Sequence, residues 1–303
     1  MTGTAILRGG SWRVWLLAAR LPTLTVSVSA VLVGTGAAIG AGAARALPAL
    51  AALVVAVAIQ VGTNYHNDAS DYLHGADTKE RRGPTRATAA GLLPVSRVLG
   101  GAYACFGIAA LAGLYLALLR GWPILLVGVL SIAAGIAYTA TPFRLGYRGL
   151  GDLFVFIFFG VVAVVGTDFV QTGAIRTAAV LASIPVGLLA TAVLVVNNLR
   201  DLDTDRAAGK RTLAVRLGPG MTRVQYGICL IAALGMPGIM RLDEMVGSWF
   251  WAPWLTVPQA AYLIAVVATR TDGPALIRAL KGTAQLLLLF SLLFALALAH
   301  GPA

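Results

Sequence analysis

The stretch TAAVLASIPVGLLATAVLVVNNLRDLDTD occupies residues 177–205 and changes character near its end. Its first part is an apolar run of roughly 20 residues, the length that an α-helix needs to cross the hydrocarbon core of a bilayer. The run ends in two asparagines, and three aspartates follow shortly after them. This order predicts a membrane-spanning helix that carries amide and acidic groups to one membrane surface.

Apolar runs of this kind recur through the whole chain, in which 58% of the residues are hydrophobic and only 12% are charged. Such a composition excludes a soluble globule, because a water-exposed surface needs more polar side chains. We predict an all-α membrane protein with nine transmembrane helices in one bundle, forming a single domain over residues 1–303. The predicted spans are 22–44, 47–66, 98–119, 122–141, 151–170, 177–198, 224–240, 249–268 and 283–300.

The chain carries 23 basic and 12 acidic residues, a formal net charge of +11. The basic residues lie in short loops between apolar runs rather than in a solvated domain, so we predict no nucleic-acid partner. With nine spans, only Arg45, Arg120, Arg176 and Arg241 fall on the side opposite the N-terminus, and the other 19 of the 23 share its side. The positive-inside rule therefore predicts a cytoplasmic N-terminus.

Acidic residues concentrate in two clusters. Seven of the 12 lie in the segments NYHNDASDYLHGADTKE, residues 64–80, and NNLRDLDTDRAAGKRT, residues 197–212. Each segment continues an apolar helix on the side of the N-terminus and enters a long loop, and long loops in a compact fold are usually functional. Cys105 and Cys229 lie inside apolar runs without metal-ligand spacing, and we predict that they only pack.

Helical spacing places the acidic residues of each cluster on one face. Asn64, Asp68 and Asp71 are four and three residues apart with Asn67 beside them, and Asn197, Asp201 and Asp205 are four and four apart with Asn198 alongside. Like charges at this spacing repel unless cations bridge them, and hard oxygen ligands suit Mg2+. The alternative interpretation is a solvated helix end capped by Asn and Asp.

Basic residues in the same loops suggest a diphosphate as the second ligand. Arg82, Arg86, Lys210 and Arg211 are close in sequence to the carboxylates. Positive charge beside a metal-bound diphosphate stabilises the negative charge that develops when its C–O bond breaks. The alternative is that these residues only obey the positive-inside rule. Tyr138 ends the fourth predicted span on the same side, where it either faces the site or anchors the interface.

These two motifs, together with RLPTL from Arg20, GYRGLGDLFVFIFFG from Gly146 and TLAVRLG after the second cluster, resemble the UbiA superfamily of intramembrane prenyltransferases. Within the superfamily, the chain is most similar to the branch that acts on 1,4-dihydroxy-2-naphthoate in menaquinone synthesis. The resemblance implies nine helices and a Mg2+ cofactor. It also implies polyprenyl diphosphate as donor and a multi-pass position in the cell (inner) membrane, with the active site toward the cytoplasm.

The resemblance assigns roles to individual residues. It implies that Mg2+ is held against the allylic diphosphate by Asn64, Asp68, Asp71, Asn198, Asp201 and Asp205. It implies transfer of the polyprenyl group to the naphthoate ring with loss of CO2, which gives demethylmenaquinol. For that acceptor we expect Arg144 or Arg148, near Tyr138, to hold the carboxylate.

Two alternatives stay open. The stretch after Asp71 contains no acidic residue before Asp77, so the longer Asp run of the 4-hydroxybenzoate branch is absent, which favours naphthoate without excluding other aromatic acceptors. A membrane transporter is the alternative from another class. Transporters place ionisable groups near the bilayer midplane, whereas both acidic clusters here are predicted at one interface.

Overall fold

The computed structural model describes residues 12–75 and 86–301, and within them every regular element is helical. Twelve α-helices follow in order, with a π-helical segment, Phe156–Val162, between α6 and α7 and a 3-10 segment, Ser248–Thr256, before α11. The α-helices are α1 Trp12–Ala19, α2 Leu21–Gly40, α3 Ala46–Leu73, α4 Val95–Arg120, α5 Trp122–Ala137, α6 Gly151–Val155, α7 Ala163–Thr172, α8 Thr177–Arg200, α9 Leu202–Ala207, α10 Leu213–Leu242, α11 Val257–Thr269 and α12 Gly273–Ala299.

Eight helical segments in the described part of the chain are long and apolar enough to cross a membrane. They coincide with eight of the nine predicted spans, and the all-α bundle is confirmed. The remaining predicted span, 122–141, corresponds to α5, which is apolar but ends at Ala137 and is shorter than the others. The count of nine spans and the side of the N-terminus therefore stay predictions.

Several helices extend further than the hydropathy pattern predicts, because local capping sets their true ends. The last predicted span, 283–300, begins instead at Gly273, where Asp272 accepts a hydrogen bond from the backbone N–H of Ala275. The seventh, 224–240, belongs to the helical segment Leu213–Leu242, which is capped by Thr212 and kinked at Gly218, where the backbone is not helical. Apolar runs mark the part of a helix within lipid, whereas polar residues cap its ends.

Small residues allow the helices to approach closely. A Cβ atom on Gly36 of α2 would lie 2.5 Å from the carbonyl oxygen of Ala295 on α12. Gly160, in the π-helical segment, meets Gly187 of α8 in the same way, since its Cβ would lie 2.6 Å from the Gly187 Cα. Membrane helices associate largely through such van der Waals contact. The main core lies between α2, α8, α10 and α12 and includes Cys229, as predicted for that cysteine.

Candidate active site

An elongated chamber of about 340 Å3 lies between α2, α3, α5, α8 and the continuous helical segment Gly151–Thr172. On α3 its lining residues begin at Ala52 and end at Asp71, with the three-and-four spacing of one helix face. At a rise of 1.5 Å per residue this face is about 28 Å long, close to the thickness of the hydrocarbon core. The chamber therefore follows α3 over a length comparable to the thickness of the hydrocarbon core.

The two ends of the chamber differ in chemistry. The deep part is largely apolar, and its wall includes the stacked rings of Phe154 and Phe158. The other end brings both predicted clusters together. Its polar lining residues include Asn64, Asn67, Asp71, Arg86, Tyr138, Asn197, Asn198, Asp201, Thr204, Asp205 and Lys210.

Asp71 is the carboxylate of the first cluster that faces the chamber, and it is 4% exposed. Its Oδ2 accepts a hydrogen bond from Arg86 Nη2 at 2.6 Å, and its Oδ1 accepts one from the Tyr147 hydroxyl at 2.7 Å. Burial, together with the Asp71 carboxylate, raises the pKa of Tyr147, so the phenol keeps the proton that it donates. Arg86 also donates to the backbone oxygen of Asn67, which ties the loop to α3.

Asp68 does not face the chamber, contrary to the predicted face of Asn64, Asp68 and Asp71. It is buried on a neighbouring face of α3, where its carboxylate accepts hydrogen bonds from the backbone N–H groups of Ala87 and Thr88 and from the Thr88 hydroxyl. Of the first motif, the residues that line the chamber are Asn64, Asn67 and Asp71. Asp68 thus holds the turn that follows Arg86, which leaves its predicted metal role without support in the geometry.

The second cluster spans a break between two helices. Helix α8 ends at Arg200, and Asp201 is its C-cap and the residue before α9. Buried Arg200 donates to both carboxylate oxygens of Asp201, at 2.8 and 2.5 Å, and to Asn197 Oδ1 at 2.9 Å. Asn197, Asp201 and Asp205 all line the chamber, as predicted, although Asp205 lies beyond the break, on α9.

The negative charge of Asp205 is only partly compensated by its neighbours. Burial raises the pKa of its carboxyl group; Lys210 opposes this, and the Asp201 and Asp71 carboxylates raise the pKa further. Because Asp71 belongs to the first cluster, the two clusters act on each other electrostatically. Lys210 Nζ lies 3.5 Å from Asp205 Oδ1, whereas no donor in the described part of the chain reaches the buried Oδ2.

Other predicted residues lie elsewhere. Exposed Arg148 donates to the backbone oxygen of Pro142, and Arg144 rests on the Tyr147 ring, so neither lines the chamber where an acceptor carboxylate was expected. Arg211 is exposed as well. Its backbone N–H donates a hydrogen bond to the Tyr147 carbonyl, and it does not line the chamber. Arg82, with Asp77 and Glu80, lies outside the described residues.

Sequence reasoning missed two residues that organise the site. Tyr147 holds Asp71 through its hydroxyl, and Lys210 lies over its ring at 5.3 Å, so it contacts both clusters. Arg200 lies within the second acidic segment and was assigned no role there, although it forms an ion pair with Asp201. The available signal for Arg200 was its position, since a basic residue inside an Asn/Asp run is placed to pair with its neighbours. Nothing in the spacing of the motifs points to Tyr147.

The donor set of the chamber fits Mg2+ only in company with another ligand. Within residues 12–75 and 86–301, no three His, Cys, Asp or Glu side chains converge closely enough to hold a metal ion alone. Mg2+ commonly takes one or two carboxylates from the protein and the rest of its ligands from water and substrate phosphates. The unpartnered Asp205 Oδ2 and the facing Asp71 are suitable oxygens for that arrangement.

The bundle and its chamber define a class: a multi-pass membrane enzyme in which paired acidic motifs stand above an apolar channel. The family comparison makes the class specific, because the UbiA prenyltransferase family matches residues 27–289. The chain belongs to this family, and the resemblance read from the motifs is confirmed.

Individual relatives agree with this membership. The chain is 39% identical over 299 residues to the 1,4-dihydroxy-2-naphthoate octaprenyltransferase of Mycobacterium tuberculosis, covering 96% of this chain and 98% of the relative. It is 35% identical to the enzyme of the same name from Escherichia coli, covering 94% of each. A UbiA homolog from Archaeoglobus fulgidus, solved with GPP and Mg2+, is 14% identical with a TM-score of 0.62, covering 93% of this chain and 99% of that chain, and shares the fold.

Proposed function

We propose that this chain transfers a polyprenyl group from polyprenyl diphosphate to 1,4-dihydroxy-2-naphthoate, with Mg2+ as cofactor and with loss of CO2. The observation that carries the proposal is the chamber, whose acidic end faces a largely apolar channel about 28 Å long. The acidic end suits a Mg2+-bound diphosphate, and the apolar channel suits a long prenyl chain. The identity of the acceptor is proposed from two relatives, at 39% and 35% identity, that are named as 1,4-dihydroxy-2-naphthoate octaprenyltransferases.

The chamber carboxylates and amides would hold the cofactor. Asp71, Asp201 and Asp205, assisted by Asn67 and Asn198, line the end where the diphosphate would bind. Mg2+ bound there would neutralise the diphosphate oxygens and so make diphosphate a better leaving group. The fold neighbour solved with GPP and Mg2+ contains ligands of the types that this donor set fits.

Basic residues of the same end would receive the leaving group. Arg86 and Lys210 line the chamber, each beside a carboxylate of its own cluster. Preorganised positive charge at the position where negative charge develops lowers the barrier to C–O cleavage. Arg200, which holds both Asp201 and Asn197, keeps the second cluster in place.

The proposed reaction needs no protein base, because loss of CO2 rather than of a ring proton restores the aromatic ring. The allylic C–O bond breaks and its electron pair leaves with diphosphate, while a ring carbon of the electron-rich naphthoate donates a π pair to the allylic carbon. The bond between that ring carbon and its carboxylate then breaks. Its electron pair returns to the ring, which becomes aromatic again, and CO2 leaves. The product is demethylmenaquinol.

We place the acidic end of the chamber at the cytoplasmic face of the cell (inner) membrane, with residues 1–303 as one domain. The distribution of basic residues supports this orientation, since four of the 23 fall on the opposite side when nine spans are counted. Water-soluble diphosphate and Mg2+ would then exchange with the cytoplasm, while the prenyl chain stays in the apolar channel.

The test is mass spectrometry of products from the purified protein in detergent, supplied with octaprenyl diphosphate, Mg2+ and either 1,4-dihydroxy-2-naphthoate or 4-hydroxybenzoate. We expect a decarboxylated, prenylated naphthoquinol, released with diphosphate, and no product in excess EDTA. Asp201→Asn should be inactive, whereas Asp203→Asn, two residues away and outside the chamber lining, should retain activity. Prenylated 4-hydroxybenzoate with unreacted naphthoate would contradict the acceptor, and full activity in EDTA would contradict the metal.

A further inference from the structure

A second polar group lines the chamber deeper than the acidic clusters. Gln60 of α3 is 8% exposed and faces the chamber one helical turn below Asn64 and beside Thr23 of α2. At 1.5 Å per residue, Gln60 lies about 16 Å along the helix axis from Asp71. It belongs to neither acidic cluster, and the proposed diphosphate chemistry does not use it.

The hydrogen bonds around Thr23 fix the orientation of the Gln60 amide. The Thr23 hydroxyl donates its single proton to the backbone oxygen of Arg20 at 2.9 Å. It accepts hydrogen bonds from Asn64 Nδ2 at 2.9 Å and from Gln60 Nε2 at 3.3 Å. Because the hydroxyl has no second proton, the Gln60 atom that faces it must be the NH2 group and not the oxygen.

The amide oxygen of Gln60 is therefore turned away from Thr23, and among the described residues it is a buried acceptor without a hydrogen-bond donor. Buried acceptors in folded proteins are almost always paired, and an unpaired acceptor on a residue that lines a binding chamber is a position at which a ligand can supply the donor. A ligand that pairs with Gln60 Oε1 must carry an N–H or O–H group.

Only one of the two proposed substrates has such a group. An ionised polyprenyl diphosphate offers acceptor oxygens and a hydrocarbon chain, and neither can donate to Gln60. A hydroxylated aromatic acceptor has phenolic O–H donors. We infer that Gln60 Oε1 accepts a hydrogen bond from the 4-hydroxyl of the aromatic acceptor, and that this contact selects 1,4-dihydroxylated rings over rings that lack the 4-hydroxyl.

The helices pack closely at this level of the chamber. Gly135 of α5 and Thr63 of α3 both line the chamber, and a Cβ atom at Gly135 would overlap the Thr63 side chain. This contact lies between Gln60 and the acidic end. The aromatic acceptor would lie beside it, with its 4-hydroxyl on Gln60 and its reacting carbon directed toward the diphosphate.

The inference rests on the proposed function and is tested with Gln60→Leu, which removes the acceptor oxygen at similar volume. Steady-state KM values for 1,4-dihydroxy-2-naphthoate and octaprenyl diphosphate are measured, with inhibition constants for 1-hydroxy-2-naphthoate, which lacks the 4-hydroxyl. We expect the variant to raise the KM of the dihydroxylated acceptor about tenfold. The KM of the diphosphate and the half-saturating Mg2+ concentration should stay unchanged.

The hydroxyl-deleted analogue gives the decisive comparison. In the wild-type protein it should bind about tenfold more weakly than the dihydroxylated acceptor, and in Gln60→Leu the two should bind equally. Gln60→Glu keeps an acceptor oxygen at this position, so this variant should still bind the dihydroxylated acceptor more tightly than the analogue. It provides a test of the inference if the Leu variant does not fold. Gln259→Leu, a glutamine of α11 whose amide donates to the Gly282 carbonyl outside the chamber, is the matched control.

The outcomes separate the two claims. If Gln60→Leu retains the wild-type preference for the dihydroxylated ring, or raises both KM values together, the inference is wrong while the prenyltransferase proposal stands. If the wild-type protein prenylates no aromatic acid, the proposed function itself is wrong.

Discussion

Replacement of Asp68 with Asn separates a structural carboxylate from the catalytic ones. Asp68 Oδ2 accepts from the Ala87 N–H at 3.1 Å, and Oδ1 accepts from the Thr88 N–H at 3.2 Å and the Thr88 hydroxyl at 2.6 Å. Asparagine offers one oxygen, and its NH2 group then faces a donor. At least one buried donor loses its acceptor, which costs about 1–3 kcal/mol of folding stability.

The expected signature is a loss of stability without a change in metal affinity. Asp68→Asn should unfold at a lower temperature in detergent, and turnover should fall because the turn that positions Arg86 is loosened. The Mg2+ concentration for half-maximal activity should stay near the wild-type value. Asp71→Asn, which alters a carboxylate at the chamber, should raise that concentration about tenfold or more.

Thermal unfolding and Mg2+ titrations of turnover measure the two quantities independently, with Asp203→Asn as a surface control. An Asp68→Asn variant that unfolds at the wild-type temperature, yet needs as much additional Mg2+ as Asp71→Asn, would refute the structural assignment. It would return Asp68 to the metal site that the sequence motif predicts.

Three further predictions address the chamber, the topology and the link between clusters. Gly128→Leu should raise the KM of octaprenyl diphosphate while leaving that of geranyl diphosphate nearly unchanged, because Gly128 lines the chamber and an added Cβ meets no atom within 4 Å. In a cysteine-free background, a cysteine replacing exposed Arg206 should react with an impermeant thiol reagent only in inverted vesicles, and one replacing exposed Ala174 only in intact cells; the opposite pattern would reverse the proposed orientation. Tyr147→Phe deletes the hydrogen bond to Asp71 and should lower kcat with little change in the KM of either substrate, as stopped assays at saturating Mg2+ can measure.

Hydropathy and motif spacing were sufficient for the architecture and for most of the site. The apolar runs marked the spans because a lipid environment dictates length and composition. The Asn and Asp spacing predicted a shared chamber face for Asn64 and Asp71 and another for Asn197 and Asp201, since helical periodicity decides which side chains of one helix share a face. Asp205 lines the chamber as predicted, although it lies on α9 beyond the break at Asp201.

Other assignments depended on contacts between distant segments. Asp68 lies only one residue from Asn67, and a rotation of about 100° per residue turns its carboxylate toward the loop at residues 86–88 instead of the chamber. Tyr147 reaches Asp71 across 76 positions of sequence. Such pairings depend on how a loop folds back over the bundle, which no local pattern encodes. The basic loop residues were predicted as a group for the diphosphate, and packing places Arg86 and Lys210 at the chamber but not Arg211.

The charges at the acidic end are paired within the protein. Arg86 contacts Asp71, Arg200 contacts Asp201, and Lys210 lies beside Asp205. Uncompensated charges are costly in a low-dielectric interior, so this pairing lets three carboxylates face a chamber that continues into the membrane. Under the proposed function, a diphosphate that binds with Mg2+ brings a cation for the carboxylates and anionic oxygens for Arg86 and Lys210. The same residues can therefore exchange partners with the substrate while every charge stays compensated, which explains why basic residues stand within the acidic motifs.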